Sequence, residues 1–173
     1  ISFIDSYDPE YVIILSGDQI CKQDYADFLR FHKEKGAEFS VAVMEVDWKE
    51  ASRFGLMVAD EDDKITEFQE KPPVPKSNLA SMGIYIFNWD VLKKYLEEDE
   101  ADPNSKNDFG MNIIPALLRD GRKMYAYHFN GYWRDVGTID SLWEANMEVL
   151  DPENSGIDIF DEKWKIYSRN PVL

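Results

Sequence analysis

The sequence predicts an α/β fold of the Rossmann-like type, in which strands alternate with helices around a mixed, mostly parallel sheet. Short apolar runs with strand character, the first at residues 11–15, recur between segments with helical spacing of apolar residues. Glycines and prolines separate these runs. With 44% hydrophobic and 14% aromatic residues, the 173 residues suffice for one sizeable core.

In the first half of the chain, each element follows from a local pattern. The strand at residues 11–15 leads through Ser16-Gly17-Asp18 into a helix over residues 22–35, and Gly36 ends that helix. An acidic turn at residues 60–63 indicates a hairpin. The remaining elements are a strand over 38–46, a helical turn at 50–52, and the hairpin strands at 54–58 and 65–68.

In the second half, the prolines at positions 72, 73 and 75 first interrupt regular structure, because proline lacks an N–H donor and has a fixed φ. Gly83 lies inside the next strand, where it permits a close approach of the backbone. The predicted elements are a strand over 80–87, helices over 91–98 and 109–119, strands over 124–129 and 132–136, and a helix over 139–150. No strand precedes the first one, so the sheet is expected to be incomplete at its N-terminal end.

Composition limits the possible partners. The formal charge of −15 disfavours nucleic acid and anionic membranes as partners. The single Cys21 excludes a disulfide within the chain and fits a reducing cytoplasm. No apolar run reaches the length of a membrane span. We therefore expect a cytoplasmic protein.

Two aspartates, Asp18 and Asp135, each follow an apolar strand-like run and lie near a glycine. Mg²⁺ typically takes one or two carboxylates and completes its coordination with phosphate oxygens and water. The pair therefore indicates a magnesium site for a nucleoside triphosphate. In the alternative reading, Asp18 caps a helix and Asp135 begins a turn.

Three further positions have both a functional and a structural interpretation. Lys71 lies between Glu70 and two prolines, where it either meets a phosphate or forms a surface ion pair. Ser81 offers a hydroxyl to a sugar or simply begins a strand. Gly55 permits either a bulge or a sugar packed against the backbone. The two histidines, His32 and His128, show no metal-ligand or nucleophile spacing, so we expect neither zinc nor acyl-transfer chemistry.

Six segments in order resemble the sugar-nucleotide pyrophosphorylases, and among them the bacterial glucose-1-phosphate adenylyltransferases (ADP-glucose pyrophosphorylases). The Glu-Lys-Pro and Ser-Gly-Asp segments are widespread in the larger group, whereas the Ser-Met-Gly-Ile-Tyr strand and the Tyr-Trp-Arg-Asp-Val-Gly-Thr segment are more specific to the ADP-glucose branch. The segments are Leu15-Ser16-Gly17-Asp18, Phe54-Gly55-Leu56-Met57, Glu67-Phe68-Gln69-Glu70-Lys71-Pro72, Leu79-Ala80-Ser81-Met82-Gly83-Ile84-Tyr85-Ile86-Phe87, Asn107-Asp108-Phe109-Gly110 and Tyr132-Trp133-Arg134-Asp135-Val136-Gly137-Thr138.

The resemblance implies a reaction and a role for each matching residue. ATP and glucose 1-phosphate would give ADP-glucose and pyrophosphate, the entry into glycogen synthesis, with Mg²⁺ as cofactor. Asp18 and Asp135 would hold the metal, and Asp18, Asp135 and Lys71 would be catalytic. The positions implied to bind glucose 1-phosphate are Gly55, Glu70, Lys71, Ser81, Asp108 and Trp133, with Lys71 on the phosphate.

The sequence also departs from this family. The glycine-rich Gly-Gly-x-Gly-Thr-Arg-Leu loop that cradles the triphosphate does not occur in it. We therefore expect residues 1–150 to form the C-terminal, sugar-phosphate-binding part of a catalytic domain, and residues 151–173 to lead toward a left-handed β-helix. On this reading the chain alone is inactive.

Three alternatives remain open at this stage. The first is a related pyrophosphorylase that makes UDP- or dTDP-sugars, and the second is a non-catalytic regulatory subunit of the same family. The third is a scaffold domain with coincidental motifs. The family resemblance further implies a homo-oligomer, a tetramer in the family, with a regulatory subunit as a further partner.

Overall fold

The computed structural model describes residues 1–166, which fall into two compact units. The first comprises Ile1–Ser16 and Asp24–Phe129, and the second comprises Gly17–Gln23 and the chain from Asn130 onward. The expected passage toward a β-helix at residues 166–171 lies almost wholly outside the described residues. The division into residues 1–150 and 151–173 stays a prediction.

The elements follow the predicted order closely, and most boundaries lie within three residues of the predicted ones. The strands are β1 Tyr11–Ile14, β2 Gln19–Cys21, β3 Phe39–Glu45, β4 Gly55–Ala59, β5 Ile65–Glu70, β6 Leu79–Asn88, β7 Met124–His128 and β8 Trp133–Asp135. The helices are α1 Ser2–Asp5, α2 Tyr25–Glu34, a 3₁₀ turn Ala51–Arg53, α3 Trp89–Ala101, a π-helix Phe109–Ile113, α4 Ile114–Arg119, α5 Ile139–Glu148 and α6 Pro152–Ser155.

The sheet of the first unit is mostly antiparallel, so the prediction of a mostly parallel sheet was wrong. Its order is β5-β4-β6-β3-β7, with β1 also paired to β6. Among these pairs in residues 1–166, the β3–β7 pair is parallel and the others are antiparallel. The reason lies in the connections, because a parallel pair needs a crossover of a dozen or more residues. The link at residues 60–64, between the paired strands β4 and β5, is too short for that.

Strand β6 is the centre of the sheet. One of its edges pairs with β3, and its other edge pairs with β4 near its start and with β1 near its end. Between Ser81 and Tyr85 the register against β3 shifts, and Gly83 there has a φ of +67°. Gly83, which was expected to permit a close approach of the backbone, supplies a bulge, and the bulge bends the strand beside Ser81.

The core of the first unit is rich in aromatic residues. Phe39 and Phe87 are fully buried on neighbouring strands, with ring centroids 4.7 Å apart. Helices α3 and α4 cover this face with Leu92, Tyr95 and Leu117. His32 of α2 is also buried, consistent with a structural role.

The second unit contains a two-stranded sheet that the sequence did not predict. Strand β2 pairs antiparallel with β8, so that Gln19 lies opposite Asp135 and Cys21 opposite Trp133. Helix α5 follows β8 and begins with a capping box between Thr138 and Ser141. In residues 1–166 no helix is both long and apolar enough to cross a membrane.

Candidate functional site

The first part of the candidate site is a carboxylate pocket in the first unit, formed around Glu70 at the end of β5. Gly55 lies directly opposite Glu70 in the β4–β5 hairpin. A Cβ atom on Gly55 would lie 3.0 Å from Glu70 Oε2 and 3.0 Å from Cε2 of Phe68. Gly55 therefore makes room for the Glu70 carboxylate against the backbone of β4.

Asp108 supplies a second carboxylate to this pocket. It caps the π-helix, where its Oδ1 accepts a 2.7 Å hydrogen bond from the N–H of Met111. Burial raises the pKa of the Glu70 carboxyl, Lys71 opposes the rise and Asp108 adds to it. The structure thus brings together Gly55, Glu70 and Asp108, three residues that the sequence analysis placed at a sugar.

Lys71 holds a positive charge beside this pocket with its side chain largely in solvent. Its N–H donates a hydrogen bond to the carbonyl of Phe54 at 3.2 Å, and its φ is +43°. Its Nζ lies 4.0 Å from Glu70 Oε1, and 67% of the side chain is exposed. The main chain of Lys71 is therefore fixed, while its ammonium group remains accessible to an anion.

Glu70 and Asp108 are each next to a residue with an unusual backbone conformation. Lys71 follows Glu70, and Asn107, with a φ of +53°, precedes Asp108. A non-glycine residue with positive φ is uncommon and is often found at functional sites. Both carboxylates of the pocket therefore adjoin a left-handed residue.

Ser81 and Tyr85 contribute hydroxyl groups from the bulged part of β6. Ser81 Oγ accepts a hydrogen bond from the N–H of Gly83 at 3.2 Å and is also hydrogen-bonded to Tyr85. Burial raises the pKa of the Tyr85 hydroxyl, Ser81 lowers it, and the charges of Glu70 and Asp108 raise it further. Sequence reasoning had not singled out Tyr85; its position two residues after Gly83 was the available signal.

The second part of the candidate site is the aspartate pair of the second unit. A Cβ atom on Gly137 would lie 3.2 Å from Asp135 Oδ1 and 3.7 Å from Asp18 Oδ2. The two carboxylates therefore converge on one point, as the sequence had indicated. Strand pairing is the cause, since the N–H of Val136 donates to the carbonyl of Asp18 at 3.0 Å.

These two carboxylates match the donor set that Mg²⁺ takes from a protein. Oxygen donors suit this hard cation, and the absence of a side chain at Gly137 leaves space next to both carboxylates. In residues 1–166 no cluster of three or more His, Cys, Asp or Glu residues is suited to a metal. The fit is therefore to a metal that also relies on ligands from a substrate.

The other two residues of β8, Trp133 and Arg134, make contacts of their own. Arg134 pairs with Glu148, which also accepts a 2.6 Å hydrogen bond from the Tyr132 hydroxyl. This contact ties β8 to α5 and occupies the guanidinium group. Trp133 belongs to the second unit and pairs with Cys21, and its place in a sugar pocket stays a prediction.

Neither histidine belongs to these clusters. Nε2 of His32 donates to Asn88 Oδ1 at 2.9 Å, and Nδ1 lies 2.8 Å from Ser40 Oγ. His128 lies at the surface with Nε2 3.2 Å from Asp63 Oδ1. His32 is therefore a core residue with internal partners, and His128 is a surface residue.

Comparison with known proteins decides the family. Residues 1–152 match the nucleotidyl transferase family. The chain belongs to that family. Its fold is accordingly the Rossmann-like nucleotidyltransferase fold, so the predicted fold class is confirmed, apart from the direction of most strands.

Three curated relatives of this nucleotidyl transferase chain share one name. It is 64% identical over 171 residues to the glucose-1-phosphate adenylyltransferase of Clostridium acetobutylicum, and 66% identical over 172 residues to that of Clostridium beijerinckii. The enzyme of the same name from Desulforamulus reducens is 61% identical. Each alignment covers 99% of this chain but 43–45% of the relative, so the chain spans somewhat less than half the length of these relatives. The resemblance noted in the sequence is thereby confirmed.

Proposed function

We propose that this chain supplies the glucose 1-phosphate pocket and the metal-binding carboxylates of a glucose-1-phosphate adenylyltransferase. The reaction converts ATP and α-D-glucose 1-phosphate into ADP-glucose and pyrophosphate, the entry into glycogen synthesis. The main support is the cluster of Gly55, Glu70, Lys71 and Asp108, which joins hydrogen-bond acceptors for hydroxyls to a solvent-accessible cation for a phosphate. The shared name of the relatives supports the choice of sugar phosphate.

The pocket residues bind and orient the sugar phosphate. Carboxylates accept hydrogen bonds from hydroxyls, so Glu70 and Asp108 would bind the sugar ring. Ser81 presents its hydroxyl from the adjoining strand β6. Lys71 meets the phosphate as a compact positive charge. Trp133 is proposed as a further contact to the sugar.

The chemistry requires no general base from the protein. A phosphate oxygen of glucose 1-phosphate, already anionic at neutral pH, forms a bond to the α-phosphorus of ATP. The bond from that phosphorus to the bridging oxygen of the β-phosphate breaks, and its electrons leave with pyrophosphate. The surface position of His128 and the internal hydrogen bonds of His32 agree with a reaction that uses no histidine as a general base. Catalysis then consists mainly of positioning and charge stabilisation.

Members of this family generally use a divalent metal. We propose that this metal is Mg²⁺ and that Asp18 and Asp135 hold it. When bound, the ion would neutralise phosphate charge and stabilise the transition state. The protein's own contribution is the β2–β8 pairing, which holds the two carboxylates together before any ligand arrives.

The pocket assignment is tested by titrating the chain with α-D-glucose 1-phosphate in a calorimeter. We expect saturable binding, with weaker binding of inorganic phosphate and of glucose. The test variant is Lys71→Asn and its matched control is Lys76→Asn. Lys76 is a surface lysine on the loop after β5 and is ion-paired with Glu67. Failure of the wild-type chain to bind glucose 1-phosphate, while it remains folded by circular dichroism, would overturn the assignment.

The turnover assignment needs an assay in a complete enzyme. We would replace the aligned segment of the C. acetobutylicum relative by this chain and measure pyrophosphate release with ATP, Mg²⁺ and several sugar 1-phosphates. Glucose 1-phosphate should be preferred over mannose 1-phosphate and N-acetylglucosamine 1-phosphate. An active chimera that prefers another sugar phosphate would contradict the proposed substrate. A cytoplasmic location and a homo-oligomer, a tetramer in the family, remain part of this proposal.

A further inference from the structure

Gly110 is the closest neighbour of the Glu70 carboxylate among the glycines of the pocket. A Cβ atom on Gly110 would lie 2.7 Å from Glu70 Oε2 and 3.3 Å from Asp108 Oδ1. The same Oε2 atom is 3.0 Å from the corresponding position on Gly55. The carboxylate oxygen thus sits against two glycine backbones, one in strand β4 and one in the π-helix.

The backbone conformation does not explain the glycine at position 110. Gly36, Gly83, Gly121 and Gly156 have φ between +57° and +79°, which disfavours other residues, but Gly110 is not among the residues with positive φ. Within a helix, glycine is less favourable than alanine by about 1 kcal/mol. What glycine provides at position 110 is therefore the space that a side chain would fill.

The π-helix places Gly110 at this spot. The carbonyl of Asp108 accepts hydrogen bonds from the N–H groups of Asn112 at 2.9 Å and of Ile113 at 3.4 Å, so the turn is wider than an α-helical one. The Asp108 side chain caps the same turn. Asp108 and the backbone of Gly110 are consequently held as one piece beside the end of β5.

We propose that Gly110 is a positioning residue that, by lacking a side chain, lets the carboxylates of Glu70 and Asp108 lie next to each other as paired acceptors for hydroxyl groups of the bound hexose. The inference rests on the proposed function, since it names what arranges the sugar pocket. Gly110 itself does not need to touch the sugar.

An alanine at this position would move the carboxylate rather than unfold the protein. The atom closest to the new methyl group is the far end of a flexible glutamate side chain, which rotates away at little cost. The Glu70 side chain is 31% exposed, so solvent is available to receive the displaced carboxylate. The fold should therefore survive while the pairing of Glu70 with Asp108 is lost.

The test is a double-mutant cycle on glucose 1-phosphate affinity, measured with Gly110→Ala, Glu70→Ala and the double variant. Gly110→Ala should weaken binding about tenfold or more in the wild-type background. In the Glu70→Ala background, which leaves no residue-70 carboxylate to displace, the same change should cost less than about twofold, because the residue acts through Glu70. Met111→Ala, at an exposed neighbour in the same π-helix, is the control and should leave affinity unchanged.

A second measurement needs no ligand. The side-chain carboxyl ¹³C signal of Glu70 is followed by NMR against pH in the wild type and in Gly110→Ala. The pKa of the Glu70 carboxyl should fall in the variant, because the displaced carboxylate is less buried. The ionisable groups that act on Glu70 are the same in both proteins, namely Lys71, Asp108 and Tyr85.

The two proposals fail in distinguishable ways. If the wild type binds no glucose 1-phosphate, the proposed function of the pocket fails, and the Glu70 titration still judges the role of Gly110 in placing the carboxylate. If the wild type binds and Gly110→Ala binds equally well, the inference is overturned and the function stands. Equal losses in both backgrounds would likewise overturn it, since Gly110 would then act independently of Glu70.

Discussion

The N–H of Val136 donates a 3.0 Å hydrogen bond to the carbonyl of Asp18, and this bond extends the pairing of β2 with β8 up to the aspartates. Residues far apart in the chain thereby present two carboxylates to one point beside Gly137. The metal site proposed for this nucleotidyl transferase chain depends on a strand of only three residues.

Asp135→Asn should weaken the binding of a divalent metal. The asparagine side chain retains an oxygen that can accept the hydrogen bond from the N–H of Gly137, now 3.0 Å from Asp135 Oδ1, so the turn is kept while the charge is removed. We expect at least a tenfold loss in Mn²⁺ affinity of the chain, measured by electron paramagnetic resonance. In the chimeric enzyme kcat should fall about 100-fold with little change in the KM for glucose 1-phosphate.

The control for this variant is Asp140→Asn. Asp140 is an exposed aspartate in the first turn of α5 and belongs to the same unit. It should leave Mn²⁺ affinity unchanged. Undiminished metal binding by Asp135→Asn would show that Asp135 is not a ligand.

Lys71→Asn should weaken glucose 1-phosphate binding about 10- to 100-fold, the range expected for one hydrogen bond between an ammonium and a phosphate. Asparagine is chosen because it tolerates the positive φ of this position. In the chimeric enzyme the effect should appear mainly in KM. A loss of the same size in glucose affinity would contradict the assignment, since glucose carries no phosphate.

Glu70→Gln should separate stability from function. Because burial raises the pKa of Glu70, folding disfavours its ionised form, and this carboxylate costs stability at pH values above its ordinary pKa. The variant should therefore unfold in urea at the same or a higher midpoint at pH 7 while it loses glucose 1-phosphate affinity. Glu67→Gln, on the same strand but ion-paired with Lys76, is the matched control and should keep its affinity. A marked loss of stability in Glu70→Gln would argue for a structural role instead.

His32 should make the fold sensitive to mild acid. Burial lowers its pKa, against a smaller opposing effect of the bond to Asn88, so the unfolded chain takes up the proton more readily. The stabilising contribution is complete above the unfolded pKa of about 6.5 and is lost as pH falls toward the folded value. Thermal unfolding of His32→Gln should show a smaller decrease in Tm between about pH 7 and 5 than the wild type.

The second histidine provides the comparison for that measurement. His128→Gln removes the other histidine, which lies at the surface, and is the matched control. If both variants retain the wild-type slope, other groups cause the acid sensitivity.

The sequence was most informative where the determinants are local. The hairpin of β4 and β5 was predicted from its acidic turn, and the end of α2 from Gly36. Strand β2 was missed because its three residues are ordered by a partner more than a hundred residues later. The predicted strand direction was wrong because helix-strand alternation does not reveal that β1, β3 and β4 all pair antiparallel with one long strand, β6.

The same distinction holds for the candidate site. The convergence of Asp18 and Asp135 was inferred from strand ends beside glycines, and Lys71 from its rigid position before two prolines. Glu70 was assigned to the site only through the family resemblance. The role of Gly110 was not predicted, because the contact that defines it is made with Glu70, forty residues earlier. Tyr85 was missed for a similar reason, since only the folded strand shows its hydroxyl beside Ser81.

The central position of β6 also sets an order of assembly. Its partners β4 and β3 are closer to it in the sequence than β1 is. Pairing with β1 brings Tyr11 to Asn88 across nearly half of the sequence, and closing such a long loop is slow. Strand β1 has no buried residue, in contrast to the first five residues of β3. The amide protons of β1 should therefore exchange with solvent sooner than those of β3, and this strand should be the last to join the sheet during folding and the first to leave it.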